Sequence, residues 1–420
     1  MKALSLQRNF VWTSVGTLAK STALWLQIVL IGKMLGPEVL GRFSLAISVS
    51  MPVFTIFGLS MGRVMVVDTE DRHTFAEYFG ARIFFNFLSL IVVLGIGWTQ
   101  FDDPAALGIL VGVVLWHCLE LSFILTSAYF QKIESMNYLG RSRITYAIIL
   151  LGGMALGVVH TRGVVAGLIA IVICSSLLFH LYDLRKVRQT SPVSPVIQPR
   201  ILGELVAKCW LISLASGTTI LAGHLPRFLI ESSLGTRDVG FFVAANLASV
   251  GVVLVVVSLA QSALRRLAVR FQGDLTGFVR LLLKLKLIAF GFAALNLLFS
   301  LIAGEWALSL LFGAEYAVFA PVMVTLAFAS VFTTQVAIIG DTIIATRRYG
   351  WRLVAAVCSI IAIAVAARSL VPHLGLEGIA YACLIGSAVD YLFCATALSV
   401  LILRKRKQGF AEESGSKDSL

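Results

Sequence analysis

Charge is what this chain has least of. Asp, Glu, Lys and Arg make up 13% of its 420 residues, about half of the roughly 25% usual in a soluble domain. Hydrophobic residues reach 58%, a balance that excludes an ordinary soluble fold. The six cysteines (Cys118, Cys174, Cys209, Cys358, Cys383 and Cys394) form no CxxC pair and have no metal-ligand spacing. They read as small apolar residues, with neither a disulfide framework nor a metal site. No phosphate-binding glycine loop is present, so the chain carries no ATPase engine of its own. Nothing points to a cofactor.

What is there instead is a series of long apolar runs. A hydrocarbon core about 30 Å thick takes about 20 apolar residues as helix, and backbone in lipid must satisfy its own hydrogen bonds. Such runs fall at 10–32, 39–61, 81–100, 104–128, 144–160, 163–183, 205–230, 239–262, 282–303, 318–343, 352–371 and 378–403. They predict an all-α membrane protein of about twelve helices. Uninterrupted apolarity excludes an outer-membrane barrel, whose strands would alternate. Lys2 and Arg8 lead straight into the first span without a small-residue cleavage site, so no signal peptide is expected. The polar, Pro-rich "RKVRQTSPVSPVIQPR" is the one clear linker. The expected organisation is a six-helix lobe at 1–183, a cytoplasmic linker at 184–200, a second six-helix lobe at 201–403 and a cytoplasmic tail at 404–420.

Lys and Arg set the orientation, because cytoplasmic loops carry an excess of them. With the N-terminus inside, only Lys33, Arg42, Arg162, Arg227, Arg237 and Arg368 of the 34 basic residues fall outside. Lys20 lies within the first span. The other 27, Lys2, Arg72, Arg347 and the run at 404–407 among them, fall on the inner side. Both termini are therefore expected in the cytoplasm. The net charge of +12 is then mostly topology and does not call for nucleic acid.

One stretch is written twice. "IGKMLGPEVLGRFSLAISVS" from Ile31 returns as "IESSLGTRDVGFFVAANLAS" from Ile230, with Leu35/Leu234, Gly36/Gly235, Gly41/Gly240 and Phe43/Phe242 identical. Both copies fall between the first and second helices of a six-helix half. An even helix number makes this a parallel repeat, related by an axis along the membrane normal. A weaker echo pairs "GVVAGLIAIVI" from Gly163 with "GLEGIAYACLI" from Gly375. Two such lobes suit alternating-access transport, whereas duplication kept for packing alone is the plainer reading.

At these residues the chain resembles the polysaccharide flippases (Wzx-type, O-antigen and exopolysaccharide) of the multidrug/oligosaccharidyl-lipid/polysaccharide exporter superfamily. The resemblance rests on "LGPEVLGRFSLAISVSMPVFTIFGLSMG", "RFLIESSLGTRDVGFFVAANLAS", "LFGAEYAVFAPVMVTLAFASVF", "IIATRRYGWRLVAA" and "VPHLGLEGIAYACLIG". It implies movement of an undecaprenyl-pyrophosphate-linked oligosaccharide to the outer leaflet of a bacterial inner membrane, for polysaccharide or lipopolysaccharide synthesis. Polysaccharide polymerases would be partners. Peptidoglycan-precursor flippases of the superfamily usually carry two more helices, which argues against lipid II as the cargo.

Ionisable residues at membrane depth are costly and mark function or internal pairing. Lys20 lies mid-way along the first span, His117 and Glu120 along the fourth, and Asp390 along the twelfth, with His224 and Arg227 towards the outer end of the seventh. His117 and Glu120 share one helical face and are suited either to share a proton or to bridge helices. Glu120, with His117 beside it and Asp390 as second candidate, is expected to couple transport to H+ or Na+. Lys20, Arg227 and His224 are expected to hold the pyrophosphate between the lobes, Arg through its planar fork and Lys as a compact charge. The plainer reading has Lys20 neutralising a carboxylate and Arg227 snorkelling to the interface.

Gly153 and Gly157 read as close helix packing. Trp12, Trp98, Trp306 and Tyr316 read as interfacial anchors. Two other classes stay in view. An ion-coupled multidrug exporter of the same superfamily would present acidic and aromatic groups to cationic substrates. A glycan-processing enzyme would need an outer loop with acid/base residues, and the outer connections are short.

Overall fold

Backbone in a bilayer has no water to bond, so apolar segments close their hydrogen bonds as helices, and side chains at the ends decide where each begins. The computed structural model describes residues 6–67, 73–101, 103–345 and 348–417. Lys2, Arg72 and Arg347 of the expected inner-side set lie outside them. All regular structure among the described residues is helical. Thr74 and Glu77 form a reciprocal capping box that starts α3 (Phe75–Gln100). Asp103 caps α4 (Pro104–Lys132), accepting from the Ala105 amide at 3.0 Å, with Pro104 at the first helical position. Asp274 does the same for α10 (Leu275–Phe312), from the Gly277 amide at 2.8 Å. Each cap satisfies a backbone donor that the helix leaves open.

The remaining long helices are α1 (Leu6–Phe57), α5 (Met136–Leu156), α6 (Val164–Leu178), α8 (Pro199–Ser233), α9 (Thr236–Gly273), α12 (Ala320–Ala345) and α13 (Tyr349–Lys417). Short helices α2 (Met61–Val67), α7 (Arg185–Val187) and α11 (Ala314–Ala317) lie between them. Among the described residues ten helices are long and apolar enough to cross a membrane. Two of these are double: α1 breaks at Gly36 (φ 82°, ψ 177°) and α13 at Gly375 (φ 54°, ψ −129°). Counting each as two spans recovers the expected twelve. This is a multi-pass membrane protein.

The chain packs as two compact units, Met1–Ala244 and Ala245–Leu420. The second is organised around Val256, Phe278, Leu285, Ile339 and Leu398, contributed by α9, α10, α12 and α13. In the first, the duplicated stretch makes its turn twice. Gly36 and Gly235 both take positive φ, 82° and 102°, a conformation a Cβ disfavours. Five residues on, a Cβ on Gly41 would strike the Thr236 carbonyl, and one on Gly240 would strike the Pro37 carbonyl. Thr236 and Pro37 are themselves equivalent positions, each following the turn glycine. The two copies thus pack on each other reciprocally, with Phe43 and Phe242 both 2% exposed. The identical glycines mark this contact.

Two smaller expectations meet different outcomes. Gly153 sits against Ile171, and Gly157 against the backbone of Gly167, so the α5–α6 hairpin is indeed close-packed through small residues. Trp98 and Trp306 are 78% and 63% exposed. Tyr316 is not an anchor: it is 1% exposed, its ring 5.1 Å from that of Phe312. The turn through α11 folds it inward, which proximity to a span end does not reveal.

Candidate functional site

Small residues bring α1 and α5 together. A Cβ on Gly16 would lie 3.1 Å from Arg143 Cβ and 3.2 Å from Gly140 Cα, while one on Gly140 would lie 2.7 Å from the Trp12 carbonyl oxygen. Backbones approach this closely only where side chains are absent. Lys20, one turn beyond Gly16 on α1, thereby faces α4 and α5. Its ammonium donates to Glu120 Oε1 in an ion pair. Tyr146 donates to the other oxygen, Oε2, at 2.7 Å, and Trp116 Nε1 donates to the Tyr146 hydroxyl at 2.7 Å. Arg143 Nη1 donates to Thr17 Oγ1 at 2.7 Å.

These groups line a small pocket. Lys20, Glu120, Phe123, Ser142, Arg143 and Tyr146 form most of its wall. The Lys20 and Glu120 side chains keep 25% and 17% exposure, so the pair remains reachable. Two cations and one carboxylate leave the pocket with a positive surplus when all three are ionised. Arg143 was hidden from sequence reasoning because it counted as an inner-end topological charge.

His224 and Arg227 gather elsewhere on the first unit. His224 Nδ1 lies 2.9 Å from Ser48 Oγ, Arg227 Nη1 donates to the same oxygen at 3.2 Å, and the two side chains also contact each other. Neither lines the Lys20 pocket. His117 packs between Phe54 and Trp116, with ring centroids 5.6 and 5.3 Å away, and its Nδ1 has no hydrogen-bond partner. It does not bond Glu120, whose oxygens Lys20 and Tyr146 take. It stands within electrostatic reach of both Glu120 and His224. The expected set therefore separates into a Lys20–Glu120 pair and a His224–Arg227–Ser48 cluster, with His117 near both.

Asp390, in the second unit, has a cation of its own. Arg352 Nη1 meets Asp390 Oδ1 at 2.5 Å, with 7% and 14% side-chain exposure. One buried carboxylate escaped sequence reasoning altogether. Asp183, the last residue of the sixth predicted span, is 1% exposed and accepts from Ser142 Oγ at 3.0 Å. Among the described residues no cluster of three or more His, Cys, Asp or Glu is placed to hold a metal.

The fold has clear counterparts. An inward-facing multidrug resistance MATE family transporter of the MOP superfamily superposes with a TM-score of 0.76, covering 95% of this chain and 99% of that one at 13% identity. A eukaryotic MATE transporter gives 0.66, over 96% and 99%, at 14% identity. A MOP superfamily transporter from Pyrococcus furiosus, described as having a binding pocket of reversed polarity, gives 0.67, over 95% and 94%, at 14%. In sequence, a capsular polysaccharide biosynthesis protein of Staphylococcus aureus is 24% identical over 378 residues, 89% of this chain and 94% of that protein. No family model matches. The chain has the two-lobed, all-α fold of the MATE transporters.

Proposed function

We propose that this protein moves an undecaprenyl-pyrophosphate-linked oligosaccharide from the inner to the outer leaflet of a bacterial cytoplasmic membrane by alternating access. The observation that carries the reading is the surplus of positive charge in the Lys20–Glu120–Arg143 pocket. A pyrophosphate is an anion that charge-assisted hydrogen bonds from Lys and Arg recognise, more strongly where water is scarce. The transporter fold and the polysaccharide-related relative support the same assignment. A multidrug exporter taking cations would want the opposite surplus, and a glycan enzyme would want an acid/base site at the surface. Both termini face the cytoplasm in this reading. Membrane lipid and polysaccharide polymerases are the protein's neighbours.

The ion pair gives gradient coupling a concrete form. While Glu120 is ionised it holds the Lys20 ammonium; a proton or Na+ taken up by Glu120 releases Lys20 towards the phosphate. Differential interaction of this kind is what allows a ligand to shift a two-state equilibrium. Asp390, paired with Arg352 in the second unit, is the second candidate for the same coupling. The test is flipping of a labelled lipid-linked oligosaccharide in vesicles, with variants confirmed to insert at normal levels. Lys20→Ala should lose about tenfold or more, the worth of one charge-assisted bond, and Lys20→Arg should restore much of it. Wild-type flipping by Lys20→Ala, or export of cationic dyes without flipping, overturns the reading.

A further inference from the structure

The pocket described above has a back wall, and behind one of its residues lies a carboxylate that neither the ion pair nor the proposed phosphate contact uses. Ser142 lines the pocket, and its hydroxyl donates to Asp183 Oδ2 at 3.0 Å. Asp183 is 1% exposed, and its other oxygen, Oδ1, has no hydrogen-bond partner. The residue sits in a π-helical turn, Phe179–Leu184, that continues α6. Such turns are rare and frequent at functional sites.

Among the described residues no cation pairs with Asp183. From its own turn the titratable groups are Tyr182, which Tyr138 and Arg141 of α5 approach, and His180, whose Nδ1 lies 2.8 Å from the Ser176 carbonyl oxygen. Lys186, in α7, places its ammonium 5.1 Å over the Tyr138 ring. α4 meets the turn through Phe123, against Phe179, and carries Glu120 one turn away on the pocket side. None of these groups hydrogen-bonds either oxygen of Asp183; among the described residues only Ser142 does. A charge at this place is served by a single neutral donor, and binding a proton removes that charge.

We propose that Asp183 is a proton-binding site wired to the Lys20–Glu120 pocket through the Ser142 hydroxyl. Uptake proceeds by Ser142 passing its hydroxyl proton to Asp183 Oδ2 while accepting another from a hydronium ion in the pocket, which is left as water. One O–H bond forms for each that breaks, and Asp183 goes from charged to neutral. The proton's part in transport rests on the flippase reading; the existence of the site rests on geometry alone.

Infrared spectra of the full chain in vesicles, without substrate, test the site. The carboxylic-acid carbonyl band that grows as pH is lowered should lose one component in Asp183→Asn. On transfer to D2O its exchange should slow about tenfold in Ser142→Ala, a barrier change of about 1.4 kcal/mol, and return to the wild-type rate in Ser142→Thr. A band unchanged in Asp183→Asn, or exchange in Ser142→Ala as fast as in the wild type, overturns the proposal. Should Asp183→Asn fail to insert, the two Ser142 variants decide the matter. Flipping measured on the same vesicles separates the two claims. A wild type that flips no lipid-linked oligosaccharide defeats the function reading and leaves the infrared result standing. Asp183→Asn flipping with unaltered dependence on a pH gradient defeats the role of Asp183 and leaves the function reading standing.

Discussion

The fifth and sixth spans of the first half and the eleventh and twelfth of the second are counterparts in the repeat, and each pair carries a carboxylate largely shielded from solvent, Asp183 and Asp390. In the second half Asp390 meets the Arg352 guanidinium at 2.5 Å. In the first, the only hydrogen bond to Asp183 among the described residues comes from the Ser142 hydroxyl, at 3.0 Å. The scaffold is repeated and the charge is not. The carboxylate paired with a guanidinium ties two spans together through opposite charges; the carboxylate facing a hydroxyl has only a neutral donor. The same division runs through the whole chain. Gly36 and Gly235 take the same turn, and Gly41 and Gly240 make the same contact, whereas Lys20 has Thr219 as its counterpart at the repeat spacing of 199 residues.

The sharpest way to break this comparison is to remove the same charge from both halves. Asp390→Asn strips Arg352 of its partner and leaves a guanidinium uncompensated at 7% exposure. Breaking one side of a buried pair costs about 3–5 kcal/mol, so unfolding in detergent should shift by that amount. The double variant Arg352→Leu with Asp390→Leu should recover most of the loss, since apolar replacement of a whole buried pair is often neutral. A double variant as unstable as the single one would show that the pair does more than cancel its own charge.

A middle-sized effect is expected at the repeat contact. Gly41→Ala and Gly240→Ala each push a methyl group into the facing backbone carbonyl, and overpacking of this kind costs about 1–3 kcal/mol. Because the contact is reciprocal, the two variants should destabilise equally within about 0.5 kcal/mol, and the double variant should fall short of their sum. Full additivity would mean that the two glycines relax independently and that the reciprocal packing carries no coupling.

Much of this was legible in the sequence, for physical reasons that differ by level. Twelve spans follow from apolar length, because lipid demands it. Their ends do not: the fifth span, expected at 144–160, begins at Met136, and the ninth, expected at 282–303, runs Leu275–Phe312. Helices continue past the hydrocarbon into polar sequence such as "NYLGRSR", which a hydropathy window rejects. That loss hid Ser142 and Arg143, both in the polar first turns of α5. Lys20 and Glu120 stood out singly, as charges at membrane depth, but their pairing joins residues 100 apart and depends on the close approach at Gly16 and Gly140. The turn glycines announced themselves through duplication, which needs no third dimension to see.

The smallest expected effect completes the comparison. Asp183→Asn makes in the first half the substitution that Asp390→Asn makes in the second, yet it strands no cation. The carboxamide has the shape of the carboxylic acid, its oxygen still accepts from Ser142, and its amide nitrogen replaces an oxygen that already lacked a partner. Stability should therefore change by less than about 1 kcal/mol, within the worth of one neutral hydrogen bond, against about 3–5 kcal/mol at Asp390. Unfolding of the two variants side by side checks this, and the gap should persist at high salt, because both sites are buried and poorly screened. A loss at Asp183 as large as at Asp390 would mean that Asp183 is a charged structural partner after all, and the contrast between the halves would disappear with it.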